Sequence, residues 1–244
     1  MWSTFGKNTA VYNPEIIDPY WGNLSAYGRF DQNITSDETA LNTFSAGGSA
    51  AYDTTTKKFG AGSLYKPNGA SFLNVGAANN TYFQFGTGDF TLETWFYVTA
   101  IGNSPTGNYN YGLWSANQVA GSTAHGWALL YRNLRSPKFS LGHWDGTSFL
   151  ENSQTNFDYN TWVHLTCSRA GTTIYLGING QVQNVGTCSK NLATTSTASR
   201  LGTNGYNENT YTAYFDDFRA TKGIARYTSN YVVPVKQWPT PTKP

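Results

Sequence analysis

Two segments of the 244-residue sequence combine tyrosine, asparagine and glycine, a composition suited to the recognition of hydroxyl-rich ligands. The first is GNSPTGNYNYG at positions 102–112, and the second is GTNGYNENTY at positions 202–211. Tyrosine offers flat contact area at low entropic cost, while asparagine both donates and accepts hydrogen bonds. The two segments are therefore candidate binding loops, and their tyrosines are Tyr109, Tyr111, Tyr206 and Tyr211.

Three tryptophans lie on predicted strands between these loops and could form the floor of a groove: Trp114, Trp127 and Trp144. Aromatic rings stack on the apolar faces of pyranose sugars, so such a groove would suit a carbohydrate. The alternative is that the tryptophans are buried, as large aromatic side chains usually are, and that the loops are ordinary solvated turns. The sequence leaves both interpretations open.

The carboxylates do not show the pattern of a glycoside hydrolase. Retaining hydrolysis needs an acid and a nucleophile about 5 Å apart, a separation that alternate residues of one strand supply. None of the glutamates has another carboxylate two positions away, and they are Glu15, Glu38, Glu93, Glu151 and Glu208. A pair assembled from different strands, or one that includes Asp89 or Asp145, remains an alternative. The sequence favours a protein without catalytic activity.

Other catalytic and metal-binding patterns are missing from the sequence. His125, His143 and His164 lie far apart and lack the spacing of metal ligands. There is no Gly-x-Ser-x-Gly elbow and no phosphate loop closed by Gly-Lys-Ser/Thr, and we expect neither cysteine to have a histidine beside it that could activate it. These observations also favour a binding or structural protein over an enzyme.

The composition indicates a folded domain. Only 12% of the residues are charged and 16% are aromatic, whereas disordered chains are rich in charge and poor in aromatics. The formal net charge is +2, with lysine and arginine scattered, so no basic patch indicates a nucleic-acid partner. No apolar run approaches the roughly 18 residues that a membrane-spanning helix needs, so we expect no membrane insertion.

The first 18 residues contain no basic segment followed by an apolar stretch, so they do not resemble a secretory signal. The composition is nevertheless typical of proteins that act outside cells, with abundant glycine, asparagine, threonine, serine and tyrosine. A virus particle reaches the outside by lysis of its host, without a signal. We therefore expect a virion protein; the alternative is a secreted protein whose signal has been replaced by Met1.

Short alternating runs recur between turns rich in glycine, asparagine and threonine, and helical periodicity is nearly absent, which predicts an all-β sandwich or barrel. The dipeptides Asn179-Gly180 and Asp145-Gly146 predict hairpins, because Asn-Gly and Asp-Gly favour the positive φ angles of a type I′ turn. The predicted strands are Leu24–Phe30, Gly62–Lys66, Ser71–Val75, Phe90–Val98, Tyr111–Ser115, Gly126–Arg132, Lys138–Trp144, Trp162–Arg169, Thr173–Ile178, Val182–Val185, Ala198–Gly202 and Thr212–Ala220.

One predicted strand, FTLETWFYV at 90–98, alternates in a way that bears on function. Phe90, Leu92, Phe96 and Val98 predict one buried face. The opposite face carries Glu93, Trp95 and Tyr97, which would suit either a sugar-binding sheet or a second layer of protein that covers it. Burial is the default for large aromatic residues, so we favour the covered face.

We predict one domain at 23–233, an extended arm at 1–22 and a proline-rich, extended tail at 234–244. The arm holds five aromatic residues but is too short to bury them itself, so it is expected to contact the domain or another subunit. The segment at 221–230 is the only candidate for a short helix. Cys167 and Cys188 are expected to be buried free thiols, because the first and third strands of a meander lie too far apart for a disulfide.

Five motifs, in their order along the chain, resemble the laminin-G-like members of the concanavalin A-like lectin/glucanase superfamily. They are KFGAGSL at 58–64, FGTGDFTLETW at 85–95, WVHL at 162–165, TIYLGING at 173–180 and FDDFR at 215–219. Two further segments, TKGIARYT at 221–228 and DPYWGN at 18–23, resemble the version found in bacteriophage and prophage structural proteins. The resemblance covers about residues 18–236.

The resemblance implies a jelly roll of two curved antiparallel sheets, with ligand sites on the concave face or its rim loops. It also implies a structural Ca²⁺ that links the first strand to the last, held by Asp31 and by Asp216 or Asp217, since Ca²⁺ prefers hard oxygen ligands. The alternative is that Asp216 and Asp217 only cap and solvate their strand. The run Asp31-Gln32-Asn33 also departs from the Asp-Gly expected in relatives.

We therefore expect a non-catalytic phage virion surface protein, such as a capsid decoration, fibre or adhesin, whose lectin-like domain binds host or environmental carbohydrate. The alternative is a purely structural virion component whose arm, residues 1–22, docks on neighbouring subunits, and a glycosidase is a distant third. The expected partners are other virion proteins and glycans. A homo-oligomer is also expected, because fibre and decoration proteins commonly form symmetric assemblies.

Overall fold

The computed structural model describes residues 18–101, 110–116, 127–133, 137–143, 149–151, 158–192, 198–203 and 211–240. Two single-turn 3-10 helices occur in these residues, at Trp21–Asn23 and Thr81–Phe83. The strands are β1 (Leu24–Gly28), β2 (Ser45–Gly47), β3 (Ala51–Asp53), β4 (Ser63–Lys66), β5 (Phe72–Gly76), β6 (Phe90–Ile101), β7 (Asn110–Ala116), β8 (Trp127–Asn133), β9 (Pro137–His143), β10 (Phe149–Glu151), β11 (Val163–Ala170), β12 (Thr173–Ile178), β13 (Gln181–Thr187), β14 (Ser199–Leu201) and β15 (Tyr211–Lys222).

The strands form two antiparallel sheets. The eight-stranded sheet has the order β13-β12-β11-β6-β15-β4-β3, with β1 also paired to β15. The seven-stranded sheet has the order β10-β9-β8-β7-β14-β5-β2. Both sheets also pair strands from distant parts of the sequence, such as β6 with β15 and β5 with β14, as in a jelly roll, so the predicted all-β fold is confirmed. In the part of the chain that the structure describes, no helix is long and apolar enough to cross a membrane.

The core lies between the sheets and is built by strands with one apolar face. Phe90, Leu92, Phe96 and Val98 of β6 are all 2% exposed or less and belong to this core, as their alternation predicts. Successive side chains of a strand point to opposite faces, so the intervening residues of β6 lie on the outer face of the eight-stranded sheet.

The hairpin between β12 and β13 turns at Asn179 and Gly180, whose φ angles are +47° and +82°. Ile178 pairs directly with Gln181 across this two-residue turn. The positive angles confirm the prediction from the Asn-Gly dipeptide. The predicted turn at 145–146 lies outside the described residues, although β9 and β10 on either side of it do pair.

A bulge in β15 gives its outer face an unusual run of polar residues. The register with β6 shifts between Asp216 and Arg219, and Asp217 has a φ of +48°. An extra residue in one strand breaks the alternation of faces. Phe215 and Phe218 therefore both belong to the core, while Asp216 and Asp217 lie outside it.

The two ends of the described chain pack against the domain. Asp18 is 3% exposed, and the Trp238 ring stacks on the Arg219 guanidinium with a separation of 3.9 Å. The contacts therefore extend beyond the boundaries predicted at 22 and 234. Residues 223–240 contain no helix, so the predicted helical turn is wrong. Cys167 and Cys188 are buried free thiols, as expected.

Candidate functional site

The outer face of the eight-stranded sheet changes character along its strands. On β6, Thr91, Glu93 and Trp95 are buried, whereas Tyr97 and Thr99 are half-buried. The cover over the first group comes from Asp18, from the segment 224–238 and from the turn at 58–61. The sheet thus has a charged, covered half and an aromatic, accessible half.

The covered half contains a buried network of two acids and two arginines. The Arg219 guanidinium bonds both Glu93 and Asp18, with Nη1 donating to Asp18 Oδ2 at 2.8 Å. Arg226 donates to both oxygens of Asp18, at 3.0 and 2.9 Å. The network is neutral overall, which is how a protein tolerates buried charges. It joins residue 18 to the C-terminal segment and to two central strands.

The network fixes the protonation state of its acids. Burial is the largest influence on Glu93 and would raise its pKa, but the positive charges of Arg219 and Arg226, together with the other polar groups around the carboxylate, outweigh burial and lower that pKa. For Asp18, burial is likewise outweighed by the hydrogen bond from Arg226 and the charge of Arg219, so its pKa is also lowered. Both groups are therefore charged at neutral pH. A general acid needs a raised pKa, so this arrangement suits anchoring better than acid catalysis.

Asp216 and Asp31 hold the turn at 58–61 from its two sides. Asp216 Oδ2 accepts hydrogen bonds from the backbone N–H groups of Lys58 and Phe59, at 2.8 and 3.0 Å. Asp31 Oδ1 accepts from the backbone of Ala61 at 3.1 Å. Gly60 has a φ of +54°, and a Cβ there would lie 1.6 Å from Asp31 Oδ1. The KFGAG motif is thus explained by this turn.

The same geometry does not fit the expected calcium site. Asp31 Oδ2 pairs with Arg29 at 2.9 Å, and Asp217 Oδ1 accepts from the Tyr27 hydroxyl at 2.6 Å. The three carboxylates thus serve different partners, and the described residues contain no group of three or more His, Cys, Asp or Glu arranged to hold a metal. We derive no function through calcium, and its binding stays a prediction.

Burial raises the pKa of both aspartates of the bulge, to about 8 for Asp216 and about 7 for Asp217. Oδ1 of Asp216 and Oδ2 of Asp217 make no hydrogen bond within the described residues. A buried carboxylate without a partner is costly. Each of these two side chains thus keeps one buried oxygen without a partner among the described residues, and burial favours its uncharged form.

Four aromatic side chains form a row across the accessible half, which we call the aromatic row: Tyr65, Tyr97, Trp162 and Tyr214. Tyr214 pairs with Tyr65 on one side and with Tyr97 on the other. Trp162 immediately precedes β11, whose first residue, Val163, pairs with Phe96. All four side chains are half-buried.

The rings of the aromatic row differ in orientation. Tyr65 and Tyr214 stack with a centroid separation of 4.9 Å and an interplanar angle of 27°. Tyr97 is turned 80° from Tyr214, with 5.8 Å between centroids, and lies 5.3 Å from Trp162. Because Tyr65 and Tyr214 stack on each other, the ring face that each turns towards the other is covered. The row thus combines ring surface with phenol hydroxyls, which can donate and accept hydrogen bonds.

The structure places four of the predicted ligand-binding aromatics in the core. Tyr111, Trp114 and Trp127 are each 1% exposed, and Tyr211 is 2% exposed. Side chains buried between the sheets cannot form the floor of a groove, so the prediction that they bind ligand is wrong and the alternative of burial is correct. The other three, Tyr109, Trp144 and Tyr206, lie outside the described residues.

Sequence reasoning found Tyr97 on the outer face of its strand but missed the other members of the aromatic row. The available signal was alternation, since Phe215 and Leu64 are core residues and Tyr214 and Tyr65 are their neighbours. Of the acids considered for catalysis, Glu93 is paired with Arg219, and Asp89 Oδ1 accepts the Gly171 backbone N–H at 2.7 Å.

Solved structures with the same fold include a domain of an arabinanase and receptor-binding domains of neurotoxins. Domain 4 of AbnA, a GH43 extracellular arabinanase from Geobacillus stearothermophilus solved with arabinotriose, is 19% identical with a TM-score of 0.61, over 83% of this chain and 94% of that chain. The receptor-binding domain of a botulinum neurotoxin C/D mosaic serotype is 14% identical with a TM-score of 0.61 over 84% of this chain. A botulinum neurotoxin type C structure, whose cell entry is described as dependent on two ganglioside molecules, is 13% identical with a TM-score of 0.58 over 84% of this chain.

The chain spans about half the length of these two neurotoxin chains, 49% in each case. At these identities the likeness shows the fold alone. No curated protein is detectably similar in sequence. Residues 68–224, well over half of the chain, match the Laminin_G_3 family, described as the concanavalin A-like lectin/glucanases superfamily. The chain therefore belongs to the concanavalin A-like lectin/glucanase superfamily.

Proposed function

We propose that this chain is a non-catalytic carbohydrate-binding domain and that the aromatic row is its glycan contact. The observation that carries the proposal is the row itself, since four half-buried aromatic side chains lie side by side across neighbouring strands of a sheet whose other half is covered. Apolar sugar faces pack on aromatic rings, and sugar hydroxyls bond with phenol hydroxyls. The arabinotriose bound to the arabinanase domain shows that this fold is compatible with a sugar ligand.

A non-catalytic role agrees with the state of Glu93, the described glutamate on the outer face of β6. The Glu93 carboxylate is buried, paired with Arg219 and has a lowered pKa, so it cannot supply the proton that glycoside hydrolysis needs. Sugar release by the purified chain would contradict this part of the proposal, provided that the activity disappears when an accessible carboxylate is replaced.

We further propose that the domain is displayed on a phage virion, as a homo-oligomeric decoration, fibre or adhesin, with secretion as the alternative. The support is the resemblance of residues 18–23 and 221–228 to segments of phage structural proteins. Asp18, the residue that follows this segment, is anchored in the ion network. Residues 1–22 are the proposed contact with neighbouring virion proteins. Deletion of residues 1–17 should then prevent incorporation into particles while the domain still folds.

The binding proposal is tested with a glycan array, followed by titration calorimetry on the glycan that binds best. The double variant Tyr97→Ala/Tyr214→Ala should bind at least tenfold more weakly, a loss of about 1.4 kcal/mol or more. Tyr82→Ala is the matched control, because Tyr82 is 39% exposed on the 3-10 turn at 81–83 and lies outside the aromatic row. Equal binding by both variants would reject the aromatic row. If the folded wild-type chain binds no glycan, the result would favour the alternative that the chain is a purely structural virion component.

A further inference from the structure

The outer face of the seven-stranded sheet carries Arg200, whose guanidinium is held in a fixed orientation. Leu73 and Val75 of β5 and Leu201 of β14 belong to the core. By alternation, Phe72, Asn74 and Arg200 point to the opposite face, away from the eight-stranded sheet. Arg200 pairs across strands with Asn74.

Three neighbours orient the Arg200 guanidinium. Its carbon Cζ lies 4.4 Å from the centroid of the Phe72 ring, a cation–π contact. Its Nε donates a 3.1 Å hydrogen bond to Asn74 Oδ1. Asn74 Nδ2 in turn donates to Ser45 Oγ at 3.1 Å, which fixes the orientation of the amide. The hydrogen bond to Asn74 uses the Nε–H, so the two terminal nitrogens are the donors that remain for a ligand.

The electrostatics of this sheet favour an anion. Its described strands contain three lysine or arginine residues, Arg132, Lys138 and Arg200, and one acid, Glu151. Glu151 belongs to β10, four strands from β14 and roughly 19 Å away at 4.8 Å per strand. Burial lowers the pKa of Arg200, and an arginine keeps its charge even so. A half-buried cation without a nearby carboxylate in these strands is a suitable partner for a ligand's negative charge.

We infer that Arg200, with Phe72, Asn74 and Ser45, forms a second binding site that takes the carboxylate of an acidic sugar. A planar guanidinium binds a carboxylate through two parallel N–H···O bonds, whereas its neutral neighbours suit sugar hydroxyls. The site is independent of the aromatic row, because it lies on the outer face of the other sheet. Uronic acids and sialic acids share the required chemistry.

The site is tested with two probes that differ only in the carboxylate, methyl β-D-glucuronide and methyl β-D-glucoside. NMR titration of the ¹⁵N-labelled chain should show glucuronide-dependent shifts of the Asn74 and Arg200 amides. The glucoside should bind at least tenfold more weakly, and added salt should weaken glucuronide binding. N-acetylneuraminic acid, titrated in parallel, distinguishes a sialic acid from a uronic acid. Equal binding of glucuronide and glucoside would overturn the inference.

Variants localise the binding to this site. Arg200→Gln should abolish glucuronide binding, and Arg200→Lys should weaken it, because an ammonium group cannot form the paired bonds. Lys57→Gln, which removes one exposed positive charge from another surface, is the control and should bind normally. Tyr97→Ala/Tyr214→Ala should also leave glucuronide binding unchanged, which separates this site from the aromatic row. Unchanged glucuronide binding by folded Arg200→Gln would reject the site.

Discussion

Arg219 donates a 2.8 Å hydrogen bond from Nη1 to Oδ2 of Asp18, a residue 201 positions earlier in the chain. Both side chains are almost completely buried, at 0% and 1% exposure. Arg226 bonds the same carboxylate through two nitrogens. One acid thus fastens the N-terminal segment, the last strand and the C-terminal segment at a single point.

Asp18→Ala should destabilise the fold by about 3–5 kcal/mol, because it leaves two buried guanidinium groups without their shared partner. Urea unfolding, followed by tryptophan fluorescence, measures the change. The matched control is Asp158→Ala, since Asp158 is exposed and its loss should change the free energy of unfolding by less than about 0.5 kcal/mol. Equal midpoints for the two variants would show that the network contributes nothing to stability.

A variant at Trp114 distinguishes a role in the core from the ligand-binding role that the sequence suggested. Its Nε1 donates to Ser199 Oγ at 3.0 Å, and its ring packs against Phe83, Trp127 and Phe218. Trp114→Ala should therefore cost about 3–5 kcal/mol of stability. The remaining folded protein should bind glycan as tightly as wild type, measured by calorimetry below the melting temperature. Loss of affinity in a variant that is demonstrably folded would return Trp114 to the binding site.

The strands could be predicted from the sequence because their turns and alternation are local signals. All twelve predicted strands occur, most with ends shifted by a few residues; β10 was expected only as the second strand of the hairpin at 145–146, and β2 and β3 were missed. β2 and β3 contain only three residues each, which is too few to show the alternation of apolar and polar residues that marks a strand. The run Trp127, Leu129, Tyr131 alternates as a core face does, so the burial of Trp127 could have been inferred.

The aromatic row could not be predicted in the same way. Its members lie at positions 65, 97, 162 and 214, on or beside strands that become neighbours only through the order β11-β6-β15-β4. Strand order depends on long-range packing, which the alternation of a single strand does not report. The bulge at Asp217 is similarly non-local, because it places two successive aspartates outside the core only when paired with β6.

Asp216→Asn tests whether the bulge aspartates carry an unpaired buried charge or bind calcium. Asparagine keeps an acceptor for the Lys58 and Phe59 backbone N–H groups. It also removes a carboxyl whose raised pKa, about 8, makes ionisation unfavourable. In the presence of chelator at pH 9, the variant should be more stable than wild type by about 1–2 kcal/mol.

Thermal melts with and without Ca²⁺ complete that test. The expected result is that Ca²⁺ leaves the melting temperatures of both proteins unchanged. A rise in the wild-type melting temperature that Asp216→Asn removes would establish the calcium site that the family resemblance implies.

His164 should make the fold sensitive to mild acid. Its ring is 1% exposed, its Nδ1 lies 2.7 Å from the Tyr231 hydroxyl, and burial lowers its pKa to about 4. In the unfolded chain a histidine titrates near 6.5. Between pH 6.5 and 4 the unfolded state therefore binds the proton and the folded state does not, so stability should fall as the pH is lowered through this window.

The bulge aspartates Asp216 and Asp217, whose pKa values are raised, change stability with pH in the opposite sense. The informative quantity is therefore the difference in stability between wild type and His164→Gln. We expect the wild type to lose stability relative to this variant as the pH falls from 6.5 to 4, measured by urea midpoints at constant ionic strength. A difference that stays constant with pH would mean that His164 is protonated equally in both states.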